Sequence, residues 1–138
     1  MAQLIALKDF EFLLYDVLNV ETLCRTAKFG MHDRRVFDAI LQSAKKVAED
    51  KFESHAAALD QSPPHLKDGE IHILPEVADA LNAFVENGFS AGPFEERWGG
   101  LSLPLAICNT YYMLFYAANI STSSYVGLTS ASAHLLEA

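Results

Sequence analysis

From Trp98 to Leu136 the chain contains no aspartate, glutamate, lysine or arginine, although a fifth of all its residues are charged. An unpaired charge is costly to bury, so a segment free of charge points to helices enclosed by other protein on nearly all sides. A transmembrane helix is the competing explanation and needs about 20 mainly apolar residues. Leu103 to Ile120 approaches that length, but Asn109, Thr110 and Asn119 interrupt it, and polar groups inside a bilayer are expensive. No membrane span is expected. The same segment could instead line a pocket for an apolar ligand.

Cysteine is equally scarce. Cys24 and Cys108 stand far apart with no C-x-x-C pair, which argues against a disulfide framework or a zinc site and fits a reducing, cytoplasmic setting. Basic residues are few: ten Lys and Arg against eighteen Asp and Glu leave a net charge of -8. A basic surface able to neutralise phosphates is excluded, and with it nucleic acid and anionic membranes as partners. Met1 to Lys8 lacks the basic region, apolar run and small-residue cleavage site of a secretion leader. No G-x-S-x-G, Walker A or G-x-G-x-x-G pattern occurs. None of the histidines 32, 55, 65, 72 and 134 pair at the i, i+3 or i+4 spacing of a helical metal site, so they read as isolated surface or loop residues.

What remains is a globular composition, half hydrophobic, over 138 residues: one domain with a packed core. Apolar residues recur at helical spacing in Phe10, Leu13, Leu14, Val17 and Leu18, predicting a first helix from Asp9 to Leu23. Asp33 caps a second, with Val36, Phe37, Ile40, Leu41, Ala44, Val47, Ala48 and Phe52 as its stripe. Its lysines and carboxylates fall on the solvated face. Ser62-Pro63-Pro64 stops it, and Ile71-His72-Ile73 reads as a short extended piece. A third helix, Glu76 to Asn87, buries Val77, Ala80, Leu81, Phe84 and Val85 and ends near Gly88. Phe89 to Pro104 reads as an ordered loop, followed by helices from Pro104 to Ala118 and from Ser123 to Glu137, the second capped from the run Ser121 to Ser124. The fold class is all-α, a helical bundle with a long ordered loop between the third and fourth helices. Five helices cannot surround two of their own completely, so a further domain or a second copy is expected on the last pair, with Tyr112 and Leu128 among its exposed apolar residues. The expectation is a homo-oligomer through the last two helices.

Within the loop, Glu95 and Glu96 read as exposed charge rather than as a general acid and base, and Trp98 as an anchor that packs the loop.

The order of segments resembles the N-terminal domain of the acyl-CoA dehydrogenases, most closely the long branch related to methylthioalkanoyl-CoA dehydrogenases. The resemblance runs through Asp9-Phe10-Glu11-Phe12-Leu13-Leu14-Tyr15-Asp16-Val17-Leu18, Asp38-Ala39-Ile40-Leu41, Asp68-Gly69-Glu70-Ile71, Pro75, Ala80, Phe84 and Gly88-Phe89. Its most specific part is Glu95-Glu96-Arg97-Trp98-Gly99-Gly100-Leu101-Ser102-Leu103-Pro104, similar to a family loop ending in Tyr-Gly-Gly-x-Gly-Leu-Pro, with Trp98 in place of Tyr and Ser102 in place of the third Gly. Ala117-Ala118-Asn119 and Tyr125-x-Gly127-Leu128-Thr129 are similar to its closing helices.

The resemblance implies a flavoenzyme of helical, β-barrel and helical domains that uses FAD to remove hydrogen across the α,β carbons of an acyl-CoA thioester. Residues 1–138 match only the first of these. The family's flavin-contacting segments and catalytic glutamate have no counterpart in them, so no residue is assigned as catalytic, flavin-binding or metal-binding, and the chain alone is expected to be inactive and without FAD. By position, Ser123, Ser124, Gly127, Leu128 and Ala131 would line the acyl pocket. Two alternatives stand beside this: a helical interaction protein, and a carrier that holds an acyl or lipid group between the last two helices.

Overall fold

The computed structural model describes residues 6–137. Met1 to Ile5, part of the stretch read for a secretion leader, lie outside the described residues, as does Ala138. The molecule is mostly helical, with six α-helices and one two-stranded hairpin among the described residues.

The first helix is shorter and less regular than its spacing predicts. α1 (Leu7–Glu11) winds directly into a π-helical stretch, Phe12–Val17, which buries Leu14 and Tyr15. Asn19 then takes a left-handed conformation (φ 49°, ψ 48°) and a 3-10 stretch, Val20–Arg25, follows. Asparagine tolerates that region better than other non-glycine residues, so the chain breaks there without a glycine or proline to announce it. The Tyr15 hydroxyl donates to Asp38 Oδ1 at 2.6 Å, and the Arg34 guanidinium sits 3.9 Å over the Tyr15 ring, fastening this segment to the next helix.

α2 (Arg34–Val47) starts where the capping rule puts it, with Asp33 Oδ1 accepting from the Val36 amide at 2.9 Å. Phe37, Leu41 and Ala44 are buried, and Ile40 and Val47 pack beside them. Val36 does not join the core. It lies in the first turn, 37% exposed, at the edge of the stripe. The helix does not end at Phe52 but changes winding, through a π-helical stretch (Ala48–Phe52) and a 3-10 turn (Glu53–His55) into α3 (Ala56–Gln61), until Ser62-Pro63-Pro64 stops it.

β1 (His65–Lys67) and β2 (Glu70–His72) form an antiparallel hairpin, of which only the second strand's region was expected as extended chain. Asp68 and Gly69 both have positive φ, 52° and 83°, as a two-residue hairpin turn of matching twist requires. α4 (Pro75–Glu86) begins on Pro75 and buries Val77, Ala80 and Phe84. Val85, expected in that stripe, points to solvent. Gly88 (φ 79°) closes the helix: its amide donates to Val85 O and the Phe89 amide to Phe84 O.

The loop from 89 to 104 contains a 3-10 turn, Glu96–Trp98, and leads into α5 (Leu105–Ala118), so the long loop joins the fourth and fifth helices because α3 was not anticipated. α6 (Ile120–Glu137) begins at Ile120, three residues before the expected start. Its cap is Asn119, whose Oδ1 accepts from the Thr122 amide at 3.1 Å, while its Nδ2 donates to Phe52 O at 3.1 Å. The serines and threonine expected to cap lie inside the first turn instead. At the centre, Phe37, Phe52, Phe84, Phe89, Tyr111 and Phe115 pack between α2, α4 and α5.

Candidate functional site

The helix pair, without charge as far as Leu136, is covered on one side and open on the other. Ile107, Tyr111, Leu114, Phe115 and Ala118 turn α5 toward the core. Leu105, Cys108, Asn109, Tyr112, Met113 and Tyr116, spaced three and four apart, form one wall of a groove. Gly127, Ser130, Ala131 and His134 of α6 form the other, and Pro93 of the loop closes one end. The space is about 450 Å³, within the roughly 300–1,000 Å³ of ordinary small-molecule sites. No acidic or basic side chain other than His134 lines it.

Of the five residues placed in the acyl pocket by resemblance, Gly127 and Ala131 line this groove. A Cβ on Gly127 would fall 2.1 Å from the Tyr116 hydroxyl, so the missing side chain lets that phenol lie against α6. Ser123 is fully buried away from the groove. Ser124 is exposed and donates to Ile120 O at 2.8 Å, and Leu128 is 72% exposed. The α5 wall was missed at the sequence level, although its three-and-four spacing is the complement of the buried stripe.

Tyr112, expected on the outer surface, is instead half-buried, and its hydroxyl is buried without a hydrogen-bond partner among the described residues. Burial raises its pKa, with the neighbouring Ser130 hydroxyl opposing. A buried donor left unpaired costs about 1–3 kcal/mol, and the Ser130 hydroxyl is the neighbouring group able to supply a partner. Cys108, in the same wall, is no nucleophile at neutral pH: burial pushes its thiol up to about 11.

The turn between the two helices is fastened by a buried histidine. His55, expected at the surface, is only 3% exposed. Its Nδ1 faces Lys51 O at 2.9 Å, and since a carbonyl can only accept, Nδ1 donates. That leaves Nε2 to accept from the Thr122 hydroxyl at 2.9 Å.

The glycine-rich loop is held by its own backbone. The Ser102 amide donates to Phe94 O at 2.8 Å and the Leu103 amide to Gly92 O at 2.9 Å. Phe94 and Leu103 are its buried anchors. Trp98, expected to anchor it, is 64% exposed and carries Arg97 over its ring at 5.3 Å. Glu95 and Glu96 are exposed, as expected, and Glu95 pairs with Arg97 at 2.9 Å. Among the described residues no three His, Cys, Asp or Glu side chains gather closely enough to hold a metal ion, and no helix is long and apolar enough to cross a membrane.

Burial also raises the pKa of Tyr111, with Cys108 adding to it, and that of Tyr15, where the Asp38 hydrogen bond adds to it. All these groups are neutral in both states below the ordinary thiol value of 9.0. Above it the unfolded chain loses protons that the fold retains, so stability falls as pH rises. For Cys108 the window runs from pH 9 to about 11, at up to about 1.4 kcal/mol per pH unit for each group. Urea midpoints are expected to hold between pH 8 and 9 and to drop from there toward pH 11, and Cys108→Ala to make that slope shallower. A flat profile would contradict the buried, neutral assignment.

No protein-family model matches the chain, and no curated protein matches it.

Proposed function

We propose that the chain is the N-terminal acyl-pocket and docking domain of a flavin-dependent acyl-CoA dehydrogenase. The observation that carries the proposal is the groove between α5 and α6. It is apolar and bears no carboxylate, lysine or arginine, so an acyl tail entering it desolvates no full charge. Ala131 leaves room beside Tyr112 and Met113, while the Tyr116 phenol fills the space that Gly127 leaves. The work of this portion is enclosure: it positions the tail and keeps water from the reacting carbons. FAD, the hydride acceptor, and the base that removes the α-proton belong to other parts of the enzyme. Leu105, Met113, Ile120 and Leu128, exposed on the same two helices, are the apolar surface on which those parts dock.

The reading frame beyond Ala138 tests this. Its extended product is expected to purify yellow with stoichiometric FAD and to oxidise an acyl-CoA thioester, whereas residues 1–138 alone stay colourless. An extended product without flavin, or a stop codon directly after Ala138, overturns the proposal. The carrier reading rests on the same groove and predicts acyl-CoA binding by residues 1–138 with no flavin in any product.

A further inference from the structure

His65 and His72 are direct cross-strand partners at the open end of the β1–β2 hairpin, their rings stacked with centroids 5.5 Å apart and planes inclined by 17°. Six residues lie between them in sequence, and the Asp68-Gly69 turn brings them together. With both turn residues left-handed, Lys67 must face Glu70, Leu66 must face Ile71, and His65 must face His72. Both histidines are exposed. The Nδ1 of His65 lies 3.3 Å from Pro63 O. A carbonyl only accepts, so this nitrogen carries the proton and Nε2 keeps its lone pair, the arrangement in which an outer partner orients an imidazole for a metal. Lys67 and Glu70, the next pair on the same face, are of opposite charge and leave no net repulsion toward a cation.

We propose that His65 and His72 form a two-imidazole chelate for a divalent transition-metal ion, with copper preferred over nickel and zinc. Imidazole nitrogens bind such ions at about 2.0–2.1 Å, and the affinity of a nitrogen site rises to a maximum at copper. Side-by-side exposed rings need only a rotation about their own side-chain bonds to turn both Nε2 atoms onto one ion. No third protein ligand stands near among the described residues, so solvent fills the remaining positions. The ion would act on the hairpin itself. Leu66 and Ile71 are 73% and 75% exposed, and an isolated two-stranded hairpin is marginal in water. A bridge that forms only when the strands are paired stabilises the pairing.

The test is a calorimetric titration of the untagged chain with copper(II) chloride, and separately with nickel(II) chloride, in a non-coordinating buffer, alongside His65→Ala and His72→Ala. A single ion per chain is expected, with copper tighter. Since outer partners of a metal site alone are worth roughly 10–100-fold, losing either ligand should weaken binding by at least about tenfold. The double variant should be little weaker than either single one, because the chelate is already lost. Amide exchange at Lys67 and Glu70, the hydrogen-bonded pair that closes the turn, should slow when nickel is present. Unchanged affinity in either variant, or binding that follows His32 or His134 instead, overturns the assignment.

Discussion

Phe84→Ala is expected to lower the unfolding free energy by about 3–5 kcal/mol, a large share of the roughly 5–15 kcal/mol that holds an ordinary domain folded. Phe84 is fully buried and meets Phe115 at 4.9 Å, Phe89 at 5.5 Å, Tyr112 at 5.8 Å, Phe52 at 6.4 Å and Tyr111 at 6.5 Å between ring centroids. Truncation removes its buried area and one member of five aromatic pairs at once. Those partners come from the π-helical end of α2, from α5 and from the loop, so the cavity cannot close by moving a single element. Val85→Ala, one residue on but 57% exposed, should stay within about 0.5 kcal/mol. Urea unfolding of both variants, with the slope on denaturant held in common, measures the difference. Equal midpoints would show that the aromatic centre is not what holds the bundle.

Gly100→Ala should be comparably damaging for a different reason. A Cβ at Gly100 would stand 2.0 Å from Phe94 O and 2.5 Å from Ala91 O. Both are backbone atoms, so no side chain can swing aside. Phe94 O also accepts the Ser102 amide, and moving it breaks the bond that ties the two arms of the loop. Overpacking ordinarily costs about 1–3 kcal/mol and sometimes more, and the rigidity of the obstacle puts this case at about 3 kcal/mol or above. Gly99→Ala is the internal comparison: its φ is 75°, but a Cβ there meets nothing within 4 Å. Its cost is left-handed strain alone, about 1–2 kcal/mol. Thermal unfolding should therefore rank Gly100→Ala below Gly99→Ala, and the reverse order would contradict the loop geometry.

The elements legible in the sequence are those whose signals are local. Asp33 caps α2, Pro75 opens α4 and Gly88 closes it, each where its own stereochemistry dictates. The misses have long-range causes. Asn119 takes the cap of α6 from the Ser/Thr run because its other amide atom reaches Phe52 O, sixty-seven residues away. His55 is buried because Thr122 is there to meet it. Trp98 had no local cue to distinguish an anchor from an exposed ring, and Phe94 took the buried place. The candidate groove was half legible. The resemblance placed Ser123, Ser124, Gly127, Leu128 and Ala131 at a pocket, of which Gly127 and Ala131 line the groove, and only the crossing of α5 against α6 brings Tyr112 and Met113 opposite them. The His65–His72 pair was within reach: counting outward from Asp68-Gly69 places the two opposite each other, which helical spacings alone do not show.

α6 is fastened unevenly along its length. Its first turn is pinned by Asn119 to Phe52 O and by Thr122 to His55, with Thr122 and Ser123 fully buried. Toward its far end the grip fades: Ser130 is the last buried residue described, and Leu135 and Leu136 are 79% and 89% exposed. The groove runs along this helix from Gly127 to His134, and at that far end the His134 ring lies 4.6 Å from the buried Phe94 ring, beside Pro93. An occupant therefore lies between two fixed points, the Tyr116 phenol against Gly127 and the loop at His134, and its reach along α6 is limited at both ends.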